Sequence, residues 1–166
     1  MIHSIDEFLA EWAYESQNTL KLLSSLTDDS LKIKVYSEGR SLGYLAWHIV
    51  TTIPEMLGRT GLSLTVPEGH DKEPASASMI IEEYKKQSQS LVKALNDNWT
   101  NDTLNVDFEM YGDTWNGGMV LQALVKHEIH HRAQMTVLMR QAGLSIPGMY
   151  GPSKDDWSAM GAPVQK

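Results

Sequence analysis

Two histidines, His127 and His131, lie four residues apart in the stretch VLQALVKHEIHHRAQMTVLMR, residues 120–140. Nothing within that stretch breaks a helix, since it contains neither Gly nor Pro. Gly117-Gly118 stands before it, and Gly143 follows as a helix stop. At about 100° per residue, Val120, Leu124, His127, His131, Gln134 and Leu138 share one stripe. Two imidazoles one turn apart on an apolar line can reach a single metal ion. They can equally be two core or solvated histidines. Catalytic zinc-like sites take three protein ligands and leave a position open, so a third donor must come from elsewhere.

His48 is the best candidate for that donor. It sits in SLGYLAWHIVTTIPEMLGR, residues 41–59, which is the second predicted helix. Leu42, Leu45, Ile49, Ile53 and Met56 form its apolar stripe. Ser41, Tyr44, His48, Thr52 and Glu55 form a polar-rich stripe beside it, where a buried polar site would be built. Pro54 predicts a kink or break near Ile53. His130 points about 80° away from the stripe centre, while His3 and His70 fall outside helix interiors, His70 in a loop where it should be solvated. Glu55 could be a ligand or a hydrogen-bond acceptor behind one. Gln134, Thr52, Glu55 and Tyr44 share the helical phase needed to hold the free imidazole N–H groups. Three neutral nitrogens suit zinc, nickel, cobalt, copper or iron(II), with zinc or nickel expected first. Such an ion keeps its charge, and lowers the pKa of bound water or takes a thiolate.

The same letters carry a rival motif. His127-Glu128-Ile129-His130-His131 matches H-E-x-x-H, the zinc-protease pattern, in which Glu128 would be the general base. No His or Glu follows His131 to supply the usual third ligand, only Asp155 and Asp156, and no substrate-binding sheet is evident before the helix. The protease is the lesser expectation.

The remaining chain must position these rings. The sequence of 166 residues fits one domain, residues 1–166, and 42% hydrophobic residues can build a core without staples. It has no cysteine, which excludes disulfides, thiolate sites and a cysteine nucleophile. The net charge of −7 without a Lys/Arg block argues against nucleic acid. The start, MIHSIDEFLAEW, does not read as a signal peptide, and no run reaches membrane-span length. A cytoplasmic protein is expected.

Residues 4–26 predict the first helix, with Ser4 as N-cap and Glu7 as capping-box partner. Residues 30–36, SLKIKVY, alternate as a short strand would. After a loop over 61–75, residues 77–98 predict the third helix, capped by Ser76 or Ser78, with its KKQSQS segment exposed and Met79 among the lining residues. Residues 98–118 read as a loop with a short hairpin around Tyr111-Gly112-Asp113, and Trp115 is placed to plug one end of the bundle. Residues 144–166 hold Pro147, Pro152 and Pro163 with Met149, Tyr150, Trp157 and Met160 as apolar anchors. They predict a C-terminal tail packed on the surface or on a partner subunit, its last residues loose. Four helices of about 20 residues, roughly 30 Å each, predict an all-α four-helix bundle, and the long loops predict crossover connections.

The segments LGYLAWHIV, HEIHHRAQM and MRQAGLSIPGMYGP together resemble the DinB family, also described as damage-inducible or YfiT-like putative metalloenzymes. The resemblance covers nearly the whole chain. Its specific part is one His in helix 2, then H-x-x-x-H followed by Arg and Gln in helix 4. It implies a four-helix bundle with crossovers, a homodimer, and a divalent metal held by His48, His127 and His131. Some relatives are transferases or isomerases using low-molecular-weight thiols such as bacillithiol or mycothiol. The resemblance thus implies a small-molecule substrate and a metal-dependent thiol transferase or hydrolase. A non-enzymatic metal-binding stress protein is the alternative. No basic cluster that would grip a charged thiol conjugate is evident; Arg132 and Arg140 are nearest in sequence.

Overall fold

The computed structural model describes residues 2–161 and 163. It is mostly helical, with helices α1 (Ile5–Leu23), α2 (Leu42–Gly58), α3 (Ala77–Asn98), α4 (Gly117–Gln141) and α5 (Lys154–Ala159). Strands β1 (Asp107–Met110) and β2 (Asp113–Asn116) form an antiparallel hairpin between α3 and α4. The expectation of an all-α chain is corrected to that extent. The long helices pack in pairs: α2 against α3 and α4, and α1 against the same two.

Each long helix starts where a short polar side chain replaces the missing intrahelical acceptors. Ser4 Oγ accepts the Glu7 amide at 3.1 Å, Ser41 Oγ the Tyr44 amide at 2.9 Å, and Asn116 Oδ1 the Met119 amide at 2.9 Å. The Ser4 capping box is only half formed, because the Glu7 carboxylate accepts from the His3 amide instead. At α3 neither Ser76 nor Ser78 caps through its side chain; Asp28, from the loop after α1, accepts the Ala77 amide at 2.8 Å. At the other end of α4, Gly143 takes φ 73°, and the Leu144 amide reaches back to the Met139 carbonyl at 2.9 Å.

The core is built from the faces the periodicity marks. Leu42, Leu45, Ile49, Ile53 and Met56 of α2 are all buried, as are Val120, Leu124 and Leu138 of α4. Helix α2 continues through Pro54 without a break. Residues 30–36 are not a strand; Asp29–Lys32 form a 3-10 turn, and Lys34 makes a single bridge to Ser41. Within KKQSQS, Gln87 is buried, donating to the Thr65 carbonyl at 2.9 Å, while Met79 is exposed. The loop over 61–75 reaches Gln87 through the Thr65 carbonyl, which accounts for the burial of Gln87. In the C-terminal tail Ile146 is buried, Met149 and Trp157 are half-buried, and Met160 is exposed. The expected loose end, residues 164–166, lies outside the described residues.

Gly117 and Gly118 are the first residues of α4, not a spacer before it. A Cβ on Gly117 would meet the Thr103 carbonyl oxygen at 2.5 Å, whereas one on Gly118 meets nothing closer than 3.4 Å. Gly117→Ala is therefore expected to destabilise by about 1–3 kcal/mol through overpacking against backbone. Gly118→Ala should be neutral or up to about 1 kcal/mol more stable. Urea unfolding of the two variants in chelator compares them directly, and equal midpoints would contradict the placement of the α4 start.

Candidate metal centre

The three predicted histidines meet. His48 from α2 faces His127 and His131 from α4, and one ring nitrogen from each lies within 4.8 Å of the other two. The ring centroids are 4.9 Å (His48–His127), 4.7 Å (His48–His131) and 4.3 Å (His127–His131) apart, all edge-on. Nε2 of His127 and Nε2 of His131 are separated by 3.1 Å. Two nitrogens bonded to one tetrahedral zinc ion at about 2.0–2.1 Å would stand roughly 3.3 Å apart, so little movement is needed to share an ion. His131 is buried; His48 and His127 are half-buried.

Gln134 fixes the tautomer of His131. Its side-chain oxygen lies 2.7 Å from Nδ1 of His131, and its amide nitrogen lies 3.0 Å from Nε2 of His130. An amide oxygen only accepts, so Nδ1 carries the proton and Nε2 turns its lone pair toward the other rings. His130 stays on the exposed side and outside the cluster, as its helical phase predicts. Burial is the first cause that lowers the pKa of all three rings, to about 4 for His48 and about 4 for His127. Repulsion by His131 adds to the effect on the other two, and for His131 itself the Gln134 bond pulls the opposite way. At neutral pH these are three uncharged imidazoles with lone pairs to give, the form in which histidine binds metals.

The other polar residues of the stripe act differently from expectation. Thr52 donates to the His48 carbonyl at 2.7 Å and not to a ring. Tyr44 stacks on the His48 ring, with centroids 5.9 Å apart. Glu55 lies outside the ligand cluster; it accepts from Arg59 Nε at 2.8 Å and from the Tyr111 hydroxyl at 2.6 Å. The basic residue beside the centre is Arg40, whose guanidinium sits 5.0 Å from the Tyr44 ring centroid and helps depress His48 and His131. Arg132 is not at the site. It is buried on another face of α4, paired with Glu15 of α1 and donating to the Glu15 carbonyl at 2.6 Å and Thr19 Oγ1 at 3.0 Å. The Tyr150 hydroxyl of the tail accepts from it and donates to Glu15 at 2.6 Å.

Glu128 cannot serve as a zinc-protease base. It is 2% exposed, takes the Tyr84 hydroxyl at 2.5 Å, and leaves its second oxygen unpartnered in the core. Burial pushes its pKa up to about 7, with Tyr84 and Arg132 pulling down. One residue along a helix is about 100° of rotation, which turns Glu128 away from the histidines.

Two cavities open beside the rings. One, about 450 Å³, is lined by His48, His127, Glu55, Met56, Tyr111 and Trp115 among others. The other, about 330 Å³, shares His48, Thr52 and Glu55 and is also lined by Val66 and His70. His70 is exposed as expected, yet its carbonyl accepts the Trp47 indole at 3.0 Å, which ties the loop to α2. Trp115 is half-buried in β2, packed against the core, and its indole ring lies 5.8 Å from Tyr111. Tyr111 has φ 54° and Gly112 φ 85°, the positive pair of a two-residue type I′ hairpin. Asn or Asp is the ordinary first residue there, and a tyrosine in that conformation costs on the order of 1–3 kcal/mol.

The sequence pattern of the DinB family matches residues 1–165. The chain belongs to the DinB family. The uncharacterized protein YrdA of Bacillus subtilis (strain 168) is 42% identical over 166 residues, covering 100% of this chain and 99% of YrdA. The crystal structure of a DinB-like protein from Bacillus cereus ATCC 10987 superposes with a TM-score of 0.86 at 41% identity, over 90% of this chain and 100% of that one. YjoA, a DinB-like protein of Bacillus subtilis, shares the fold at a TM-score of 0.67 and 19% identity, over 86% of this chain and 96% of its own. No helix among the described residues of this DinB protein is long and apolar enough to cross a membrane.

Unfolding leaves imidazoles near their ordinary pKa of 6.5, whereas folding holds His48 and His127 near 4. Between those values the unfolded chain binds more protons, so these two residues make the metal-free protein less stable as pH falls from about 6.5 to 4. Glu128 acts with the opposite sign: neutral in the fold up to about 7, it makes stability fall as pH rises from 4.5. The comparison is therefore between wild type and the His48→Gln/His127→Gln double variant, both in chelator. Wild type should lose more unfolding free energy than the variant between pH 6.5 and 4.5. Parallel losses would mean that the rings are not buried neutral.

Proposed function

We propose that His48, His127 and His131 bind a divalent metal ion, zinc or nickel first, and that the centre serves a metal-dependent enzyme acting on a small molecule. The observation that carries this reading is the convergence of three neutral nitrogen donors from two helices, with cavities of about 330 and 450 Å³ against two of them. A structural metal site is closed by four protein ligands, while a catalytic one keeps a position open. Among the described residues no fourth His, Asp or Glu joins the cluster. Bound there, the ion supplies Lewis acidity with its full positive charge, which favours ionisation of a thiol or water against a small electrophile.

The protein's own part is orientation. Gln134 holds His131 with Nε2 inward, Tyr44 backs the His48 ring, and the α2–α4 packing fixes the distance between the ligand-bearing faces. Because the ligands are neutral, an anionic second reactant adds to the site without first displacing a carboxylate. This suits a thiolate co-substrate, such as a low-molecular-weight thiol, and equally the hydroxide of a hydrolase. The packing of α1 and α2 each against both α3 and α4 supports a four-helix bundle with crossover connections. We further read the protein as a cytoplasmic single domain and a homodimer, its tail joined to the body through Tyr150. The second reading, a non-enzymatic metal-binding stress protein, is favoured by the same histidines if no exogenous ligand reaches the ion.

Two measurements separate these. In metal analysis of purified protein, His48→Ala, His127→Ala and His131→Ala should each lose most bound metal, and His130→Ala should retain it. Full retention in His48→Ala would remove the third ligand. In the cobalt(II)-loaded protein, a small thiol such as 2-mercaptoethanol should add a near-ultraviolet sulfur-to-cobalt charge-transfer band. A visible spectrum that no thiol or other exogenous ligand perturbs would select the non-enzymatic reading.

A further inference from the structure

The geometry points to the 450 Å³ cavity between α2, α4 and the hairpin as the seat of a flat, uncharged apolar group, an aryl ring above all, on the molecule that reaches the metal centre. This inference rests on the three-histidine site holding a metal.

The cavity is large enough for more than a ring, since about 150 Å³ suffices for benzene. Met56, Trp115 and Ala123 give it apolar walls, and the Tyr111 ring adds a second aromatic surface beside the indole. Its polar groups are already engaged. Both oxygens of Glu55 accept strong donors, Arg59 and Tyr111, and the Thr52 hydroxyl donates to the His48 carbonyl. Glu55 and Arg59 also offset each other's charge, so the wall away from the histidines carries no net charge. An anionic or acceptor group entering along this wall would lose water and find no free donor among Thr52, Glu55 and Tyr111. An aryl group would displace water from apolar surface and stack on aromatic rings. The polar edge of the cavity is the pair His48 and His127, so the reactive end of such a molecule would point at the ion.

The turn makes the same point independently. A bulky residue holds the left-handed position that Asn would fill more easily, and its side chain is what α2 grips. The Tyr111 ring lies 4.3 Å under the Arg59 guanidinium while its hydroxyl donates to Glu55. The hairpin is thereby tied over the cavity by the residue its turn disfavours. Tyr111 and Trp115 are thus specificity-determining residues.

Acetohydroxamate and benzohydroxamate present the same metal-binding group with and without a ring. Their affinities for the zinc-loaded protein, measured by titration calorimetry, test the cavity. Wild type should bind benzohydroxamate at least tenfold more tightly than acetohydroxamate. In Tyr111→Asn, which suits the turn, and in Ala123→Phe, which fills the cavity, the ratio should fall below threefold with zinc stoichiometry unchanged. Equal affinities in wild type, or a ratio that neither variant alters, would overturn the inference while leaving the metal centre standing. Absence of bound zinc, with neither hydroxamate binding, would overturn the metal centre and the inference with it.

Discussion

The rotational setting of α4 is the constraint on which the site depends. The buried side of this helix carries two polar pairs with different needs. Glu128 and Arg132 lie one turn apart, as do His127 and His131, and the two pairs are offset by about 100°. Arg132 is 1% exposed and has its counter-charge, Glu15, on α1, while Glu128 has its donor, Tyr84, on α3. Turning α4 by one residue would strip both groups of their partners. An uncompensated buried charge costs about 3–5 kcal/mol, so the helix has one acceptable orientation. That orientation aims the imidazoles at α2. The buried ion pair thus serves register more than net stability, and Tyr150 extends the same network to the C-terminal tail.

This explains why the centre was legible in the sequence and its surroundings were less so. The i, i+4 spacing of His127 and His131 is a local property of a helix, and the polar stripe carrying His48 is another. Both survive in the fold because they depend on periodicity alone. The roles of Glu128 and Arg132 depend on residues more than forty positions away, on α3 and α1. In the linear sequence Glu128 reads as part of H-E-x-x-H, and Arg132 as a cation beside the site. Arg40, which does stand near the rings, precedes α2 in an exposed segment and has no periodic signal. The same limit applies to Gln87, polar within a polar segment and buried only because a distant loop lies over it.

The hairpin falls between these cases. Its turn was visible as Tyr111-Gly112-Asp113, but the direction of the tyrosine was not, since positive φ at a non-glycine residue follows from tertiary contacts. Tyr-Gly in place of Asn-Gly is the one signal in the sequence that could have marked it. Trp115 is similar: an isolated tryptophan near a helix start suits a bundle plug as well as a cavity wall, and only the strand register decides. In β2 it pairs with Phe108 of β1, which itself stacks on Trp99 at 5.7 Å.

Charge then links the parts. The protein is acidic overall, yet the carboxylates nearest the histidines are either neutralised or turned away. Glu55 is paired with Arg59, and Glu128 is held in the core against Tyr84. A carboxylate free to join the three rings would lower the charge of a bound ion and close its open position. The ion pair on α2 therefore does two things at once. It holds Glu55 outside the histidine cluster, and through Tyr111 it ties down the hairpin that walls the cavity. The geometry that would leave a bound metal with an open position and the geometry that walls the cavity beside it thus share one contact, Glu55 with Arg59 and Tyr111.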